Sequence, residues 1–385
     1  MATGDKIRVT LFITELALGG TPRRVQALAE RLDRGRFEPH VLSLMPGGAV
    51  AAALRASDVP VDTLGVRRKF TPLAPLRLWA YLRRVRPQVF HAFNFHANLL
   101  AKVVGKKLCR LPVVIVSEAS VESAKPGLRV ALDRWTAGWP DAHYANAEAV
   151  RKKLVERERA PGGRVWMVPT GVDTKAFAPQ VPDESFRAAL GIPGGEPLVV
   201  SVGRLDKYKG QEYLLEALKL RMAQGRPHRL ILVGDGPFRS ALYAEAVRLG
   251  IADRVVFAGA RDDVAPFLAL ADCFALASTE EGLPGSLLEA MSMTTPCLAT
   301  ASGGVTEVIL DGKTGFLARS RDAGALAQRF GEIFEDLERS KAVGRAGREL
   351  VERDFTVEQM VRRTEAMYEE LMDGPGTPSG REPRG

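Results

Sequence analysis

The feature that most constrains this 385-residue chain is a regular alternation of short β-branched runs with longer amphipathic runs. The strand-like IRVTLFI is followed by TPRRVQALAERL, in which Val25, Leu28, Ala29 and Leu32 recur at helical spacing. PQVFHAF, HANLLAKVVGKKL and PVVIVSE continue the strand, helix, strand order. This order predicts a parallel sheet with helices on both faces.

The same rhythm restarts after Pro179–Pro182, with PLVVSVG, GQEYLLEAL and HRLILVG as the next strand, helix and strand. We therefore predict an α/β fold of two doubly wound, Rossmann-like domains, over residues 1–178 and 179–355. Ligands of such sheets bind beyond the carboxyl ends of the strands, so the site is predicted in the cleft between the domains. The Gly/Pro-rich tail 374–385 has no apolar face and is predicted to be disordered.

Charge is distributed unevenly along the chain. Residues 1–180 contain 29 Lys/Arg against 15 Asp/Glu, a balance of +14, whereas the remainder has 25 against 31, or −6. A positive field attracts anionic lipid headgroups, nucleic acid or a phosphorylated acceptor, although a solvated arginine-rich surface has the same composition. Aromatic residues do not alternate with the basic ones, so nucleic acid is the least favoured partner.

The sequence offers little sign of export or membrane insertion. The apolar runs are shorter than the ~18 residues of a membrane span, and MATGDKIRVTLFI does not read as a secretory signal. Cys109, Cys273 and Cys297 are scattered and form no Cys-x-x-Cys pair. We therefore expect a reduced, cytoplasmic protein.

Several familiar chemistries do not fit. GDGPFR nearly matches the dinucleotide fingerprint, but Arg239 stands where the third glycine belongs, and in GGVTEVILDGKTG the leading P-loop glycine position is Glu307. There is no His-Glu-x-x-His and no Gly-x-Ser-x-Gly, and His91 and His96 are a poor metal pair. The sequence predicts neither a resident cofactor nor a metal.

What remains is anion chemistry with carboxylates. In LALGGTPRR, Gly19 and Gly20 allow close approach to a helix N-terminus, although a plain βα turn has the same pattern. In SVGRLDKYKG, Arg204 and Lys209 stand five positions apart around a turn and can converge on one pyrophosphate. Taken alone, this spacing is equally typical of surface charge on a loop.

The stretch EEGLPGSLLEA places Glu281 before a Pro284-Gly285 helix start and Glu289 about a turn inside that helix. The free N–H groups of the first turn form an anion site between the two carboxylates. A nucleotide sugar has the matching order of sugar, diphosphate and ribose. A capping glutamate and a solvated helix glutamate are the structural alternative.

Taken together, GR-x4-KG, VGDGP and the Glu-x7-Glu of Glu281 and Glu289 closely resemble glycosyltransferase family 4, retaining enzymes of the GT-B fold. The resemblance extends over most of the chain, including PQVFHAFNFHANLLAK, VPTGVDTKAF and SGGVTEVILDGKTGFL. It implies two domains facing each other across a cleft, with the helix of residues 356–373 packing back on the first.

The resemblance also implies roles for individual residues. Arg204 and Lys209 match the pair that neutralises the donor diphosphate, Glu281 the glutamate near the reacting sugar, and Glu289 the one that binds ribose. The loop near Arg261 would cradle the base. The implied donor-binding set is Gly19, Gly20, Gly203, Arg204, Lys209, Gly234, Gly236, Arg261, Gly282, Leu283, Pro284 and Glu289.

Two positions depart from the family pattern. The histidine that many members carry in the loop after the strand corresponding to PVVIVSE is replaced by Ser117-Glu118, which leaves His96 as the histidine of the first domain with a predicted cleft position. We include His96 with Glu281, Arg204 and Lys209 as catalytic candidates, beside the alternatives of helix capping or core packing. The usual glycine after the Glu-x7-Glu helix is replaced by Thr294 or Thr295.

The resemblance implies transfer of a sugar from a nucleoside diphosphate donor, a UDP- or GDP-sugar, to a hydroxyl acceptor without a metal. The basic first domain favours an anionic, lipid-linked or cell-surface polysaccharide acceptor and a peripheral position on the inner face of the cell membrane. A GT-B nucleotide-sugar epimerase and a non-catalytic sugar-nucleotide binding protein are the alternatives. A dinucleotide oxidoreductase is disfavoured by the failed glycine fingerprint.

Overall fold

The computed structural model describes residues 6–67, 71–121 and 126–374. Two parallel sheets, of seven and six strands, organise these residues. The first sheet, in the order β3-β2-β1-β4-β5-β6-β7, contains β1 (Ile7–Ile13), β2 (Phe37–Ser43), β3 (Val61–Thr63), β4 (Val89–Phe93), β5 (Val113–Glu118), β6 (Ala142–Ala145) and β7 (Val165–Met167).

Helices cover both faces of this sheet. They are α1 (Gly20–Arg31), α2 (Ala49–Ala56), α3 (Leu73–Val85), α4 (Phe95–Leu100), α5 (Gly127–Thr136) and α6 (Glu148–Lys152), with π-helical continuations of α4 (Ala101–Leu108) and of α6 (Lys153–Arg157). The chain moves in opposite directions from β1, so right-handed crossovers place α1 and α2 on one face and α3 to α6 on the other.

The second sheet repeats this plan in the order β10-β9-β8-β11-β12-β13. Its strands are β8 (Leu198–Val202), β9 (Arg229–Val233), β10 (Val255–Gly259), β11 (Cys273–Leu276), β12 (Cys297–Thr300) and β13 (Phe316–Ala318). Its helices are α7 (Glu184–Ala189), α8 (Gln211–Ala223), α9 (Arg239–Leu249), α10 (Ala265–Leu270), α11 (Gly285–Ser292), α12 (Ala323–Glu335) and α13 (Leu337–Asp354). Each sheet reverses its strand order once, beside β1 and beside β8, which creates the crevices where ligands of such folds bind.

The predicted fold class is confirmed: two doubly wound, Rossmann-like parallel-sheet domains make up the chain. The strands that the sequence pattern did not predict are β3, β6, β7 and β13. Three of these strands have only three residues, too short for a periodic signal to stand out, and the four-residue β6 (AHYA) contains no β-branched residue.

The chain crosses between the two sheets twice, and the crossings touch. Val172 N donates to Phe355 O and Val357 N donates to Val172 O, both at 2.9 Å. A Cβ on Gly171 would lie 2.5 Å from Thr356 O, so the contact requires a glycine. After this crossing, α14 (Val357–Met372) begins with a capping box on Thr356 and packs against the first sheet.

Two further predictions concern the ends and the surface of the chain. The tail predicted to be disordered lies outside the described residues except for Gly374. Within the described ranges, no helix combines the length and the hydropathy needed to cross a membrane.

Candidate functional site

The carboxyl ends of β8 and β9 approach each other closely. A Cβ on Gly234 would lie 2.0 Å from Gly203 O, and one on Gly236 would lie 2.3 Å from Leu205 O. Gly234 also has φ 142°, a backbone region that favours glycine. The fold itself therefore requires glycine at Gly234 and Gly236, two of the predicted donor-binding positions.

Arg204 and Lys209 lie in the loop between β8 and α8 but have different surroundings. Arg204 is mostly exposed, and its Nε lies 3.6 Å from the Asp206 carboxylate. Lys209 ends a short 3-10 turn, and its Nζ contacts Glu281 Oε1 at 2.5 Å. The structure thus joins Lys209 to Glu281, while the described ion pair of Arg204 is made with Asp206.

Glu281 is buried, with 7% of its surface exposed, in the loop before α11. Pro284 is the N-cap of that helix and Gly285 its first residue. Glu289 therefore lies in the second turn, and the first-turn N–H groups between the two glutamates have no acceptor within the helix. This order of carboxylate, helix N-terminus and carboxylate is the one that the sequence predicted.

Glu289 meets the opposite domain. Arg23 Nη1 on α1 lies 3.6 Å from Glu289 Oε1, and the two side chains are 30% and 15% exposed. Burial raises the pKa of the Glu289 carboxyl above its usual value, and the charge of Arg23 opposes that rise. A carboxylate in such surroundings accepts hydrogen bonds strongly because it is shielded from water.

The loop after β10 lies beside the same contact. Arg23 Nη2 donates to Asp262 O at 3.0 Å, and the neighbouring Arg261 forms a two-pronged ion pair with Asp263 at 2.7 and 2.5 Å. Arg23 therefore connects two predicted parts of the nucleoside site, the base loop near Arg261 and the ribose carboxylate Glu289.

The glycine turn of the first domain is open. Gly19 is the N-cap of α1, and a Cβ on Gly20 would meet no heavy atom within 4 Å. The protein interior therefore does not require glycine at position 20. The open space is consistent with the predicted approach of a ligand to this helix N-terminus.

The histidines have different environments. His96 lies in the first turn of α4, with its ring edge-on to Phe95 at 5.5 Å. Its predicted catalytic role stays a prediction. His91 is a core residue, bonded through Nδ1 to Tyr368 Oη (2.7 Å) and through Nε2 to Ser117 Oγ (2.6 Å). Ser117, one of the two residues at the departed histidine position, is thus engaged inside the first domain.

A buried network that the sequence analysis missed supports the Glu281 loop. Arg24 Nη2 donates to Thr170 Oγ1 (3.0 Å), which donates to Leu283 O (3.2 Å). With its amide oxygen facing these donors, Asn146 accepts from Leu283 N at 3.1 Å and from Arg24 at 3.2 Å. Both backbone groups of Leu283 are therefore held by first-domain side chains.

The loop is also held by close packing. A Cβ on Gly282 would lie 2.3 Å from Ala119 O and 2.7 Å from the side-chain amide of Asn146. Arg24 keeps only 6% of its surface exposed, and burial lowers its pKa. The sequence signal that could have identified Arg24 is its position in LALGGTPRR, shortly after the glycine turn. Its partners Thr170 and Leu283 could not be identified in this way because they are far away in the chain.

The described residues contain no group of three or more His, Cys, Asp or Glu side chains able to hold a metal ion. The positive groups near the predicted diphosphate position are Arg204, Lys209 and the N-terminus of α11. That the site works without a metal or cofactor stays a prediction.

The two facing domains and the carboxylate–lysine site define a GT-B type of molecule, and sequence comparison identifies the family. Residues 18–176 match the model described as Glycosyltransferase Family 4, and residues 182–350 match the model described as Glycosyl transferases group 1. The chain belongs to glycosyltransferase family 4.

Relatives differ in how far the match extends. The D-inositol 3-phosphate glycosyltransferase of Nocardia farcinica is 33% identical over 364 residues, 89% of this chain and 80% of the relative. A GDP-mannose-dependent alpha-(1-6)-phosphatidylinositol monomannoside mannosyltransferase of Mycolicibacterium smegmatis is 36% identical over 199 residues, 49% of this chain and 52% of the relative. For other relatives the chain spans 49% to 64% of their own length.

Solved structures share the fold at low sequence identity. The crystal structure of Anabaena Alr3699/HepE in complex with UDP and glucose has a TM-score of 0.84 at 20% identity, covering 94% of this chain and all of the other. Sucrose-phosphate synthase from Thermosynechococcus elongatus has a TM-score of 0.79 at 21% identity, covering 95% and 99%. These similarities establish the GT-B fold.

Proposed function

We propose that this protein is a retaining glycosyltransferase that moves a sugar from a UDP- or GDP-sugar to a hydroxyl of a lipid-linked or cell-surface polysaccharide precursor. The observation that carries the proposal is the 2.5 Å contact of Lys209 Nζ with Glu281 Oε1. Glu281 precedes the N-terminus of α11, and Glu289 follows that N-terminus by about one helix turn. Family membership supports it, as do the GDP-mannose and UDP named for the relative and the structural neighbour.

The charges of the site suit a leaving diphosphate. When the donor binds, Lys209 turns from Glu281 to a phosphate oxygen, and the exposed Arg204 adds a second cation that is free to reorient. Fixed positive groups stabilise the negative charge that grows on the diphosphate as it leaves. Glu281 then remains beside the sugar, where its carboxylate accepts hydrogen bonds from the sugar hydroxyls.

The proposed step breaks the bond between the anomeric carbon and the diphosphate oxygen, and the electron pair leaves with the diphosphate. The acceptor oxygen bonds to the anomeric carbon on the same face, and its proton passes to the departing diphosphate. The anomeric configuration is therefore retained without a strong protein base. Contact between the domains around the site would exclude water and limit hydrolysis of the donor.

A direct test is turnover of a panel of UDP- and GDP-sugars, followed by release of UDP or GDP and by proton NMR of the product. We expect release with one donor and a product that has the anomeric configuration of that donor. An inverted product would contradict the retaining mechanism. An epimerised nucleotide sugar, or donor binding without any turnover, would favour the epimerase or the non-catalytic alternative.

The first domain presents an exposed apolar face. Leu76 on α3 and Leu128 and Trp135 on α5 are 60%, 75% and 67% exposed, and both helices lie on the same side of the first sheet. Basic residues accompany them in cation–π contacts. Arg83 Cζ lies 5.1 Å from the ring centroid of Trp79, and Lys107 Nζ lies 4.8 Å from that of Trp139. We propose that this face rests on the anionic inner surface of the cell membrane.

Vesicle co-sedimentation tests this membrane proposal. Trp135→Ser should weaken binding to vesicles that contain anionic lipid, whereas Tyr243→Ser, which removes an exposed aromatic side chain of the second domain, should not. Equal binding to neutral and anionic vesicles, or binding to neither, would contradict it.

A further inference from the structure

Within the described part of the chain, Arg23 is the first-domain residue whose contacts reach the nucleoside end of the predicted donor site. Its two nitrogens meet Glu289 Oε1 at 3.6 Å and Asp262 O at 3.0 Å. Both partners belong to the second domain: Asp262 lies in the loop after β10, and Glu289 lies in α11. A single guanidinium therefore spans the cleft and touches two sides of the nucleoside site.

The fold fixes Arg23 in this position. Its backbone N–H donates to Gly19 O at 3.1 Å, which places it in the first turn of α1. The next residue, Arg24, points about 100° away around the helix and is buried on Thr170. The two adjacent arginines thus divide their roles: Arg24 holds the base of the cleft, and Arg23 reaches across it.

The contact changes the properties of Glu289. Burial raises the pKa of the Glu289 carboxyl, and the charge of Arg23 opposes that rise. The 3.6 Å separation engages one carboxylate oxygen, which leaves the other available to hydroxyl groups. Arg23 can therefore support Glu289 while Glu289 binds a ligand, rather than compete with the ligand.

We propose that Arg23 is a donor-positioning residue that holds the Glu289 side chain in place for the ribose hydroxyls and couples nucleoside binding to closure of the cleft. The inference rests on the proposed function. Because both partners of Arg23 lie in the opposite domain, its contribution exists only while the two domains face each other at this distance. The reacting end of the site, at Lys209 and Glu281, does not depend on it directly.

Calorimetric titration with UDP and GDP tests this assignment. With the nucleotide that binds wild type, Arg23→Gln should weaken binding by about five- to tenfold, the size expected for a partly buried charge pair. Arg23→Lys should keep most of the affinity because it keeps the charge. Arg55→Gln, which removes an exposed arginine from α2 of the same domain, is the control and should bind as wild type does.

Two further readouts separate positioning from a general structural role. In the double variant Arg23→Gln/Glu289→Gln, affinity should fall no further than in Glu289→Gln alone, because Arg23 acts through Glu289. In the turnover assay, Arg23→Gln should raise the KM for the donor and leave kcat within about twofold of wild type, since uniform binding is lost and chemistry is not.

The outcomes distinguish this inference from the proposed function. If neither nucleotide binds wild type, the proposed function fails and the inference fails with it. If a nucleotide binds wild type and is lost in Glu289→Gln, but Arg23→Gln binds normally or more tightly, only the inference is overturned. Independent, multiplying losses in the double variant would also overturn it.

Discussion

The two domains share a topology but contribute to the site very differently. At one end of its sheet, the second domain supplies Arg204, Lys209 and Glu281 from loops and Glu289 from α11. The first supplies Arg23, Arg24 and Asn146, which contact those loops from across the cleft. The second domain thus carries the groups that suit a donor. The first domain supports the segments that carry those groups and forms the opposite wall of the cleft.

Charge follows the same division. The first 180 residues carry a balance of +14 and the rest −6. Lys209 and Arg23 nevertheless each contact a glutamate in the cleft, at 2.5 and 3.6 Å. Arg23 and Arg24 therefore bring two of the positive charges of the first domain to the cleft.

The largest effect is expected where the second domain alone carries the chemistry. Replacing Lys209 with methionine should lower kcat by about 100- to 1,000-fold, because the positive charge that would stabilise the departing diphosphate is lost. Lys207→Met, an exposed lysine in the same 3-10 turn, should change kcat by less than about twofold. Initial rates of UDP or GDP release measure both. Equal effects of the two variants would contradict the role of Lys209.

Acid should affect the first domain more than the second. Burial lowers the pKa of His91 and of His143 (to about 4) in the first domain, and of His228 (to about 3) in the second. Each histidine stays neutral in the folded state and is protonated on unfolding, so its stabilisation is present above about pH 6.5 and is lost as the pH falls. By pH 5 the loss is about 2 kcal/mol per histidine.

All four tryptophans lie in the first domain, at positions 79, 135, 139 and 166, so their fluorescence reports its unfolding. In urea unfolding, the midpoint followed by fluorescence should lie at a lower urea concentration than the midpoint followed by circular dichroism. This difference should be larger at pH 5 than at pH 7. His143→Gln should narrow that gap. If the dichroism midpoint lay at the lower urea concentration at pH 5, the prediction that acid destabilises the first domain more than the second would be contradicted.

The contact between the domains gives a third prediction. Gly282→Ala should destabilise the protein by about 1–3 kcal/mol and lower turnover, because the added Cβ would meet Ala119 O at 2.3 Å. Gly285→Ala is the matched control, since its Cβ would meet only Thr170 Cγ2 at 4.0 Å. Urea unfolding compares the two variants. Equal stability would show that the loop can move away from the first domain.

The smallest effect concerns the end of α11. Thr294 has φ 61°, a left-handed conformation that is costly for a β-branched residue. Thr294→Gly should therefore raise the free energy of unfolding by roughly 1 kcal/mol without changing turnover. Thr295→Gly, at a position without that positive φ, should destabilise instead. A lower free energy of unfolding in Thr294→Gly would show that the contacts of the Thr294 side chain outweigh the cost of its backbone conformation.

The sequence predicted what depends on neighbours along the chain. The fold class, the Pro284 helix start and the spacing of Glu281 from Glu289 follow from local patterns. The family glycine that the sequence replaces with Thr294 or Thr295 corresponds to Thr294, whose backbone is left-handed. The support of Leu283 by Thr170 could not be predicted, because the two residues are 113 positions apart and belong to different domains. Such a contact depends on how the two domains meet.

The most direct test of the account is a thermal-shift screen of wild type and Glu289→Ala with UDP, GDP, ADP, NAD and NADP. A nucleotide present at 100 times its dissociation constant stabilises the protein by about 2.7 kcal/mol. The account predicts that UDP or GDP raises the Tm of wild type and that Glu289→Ala loses most of the shift. A shift with NAD or NADP only, or an unchanged shift in Glu289→Ala, would contradict the placement of the donor site.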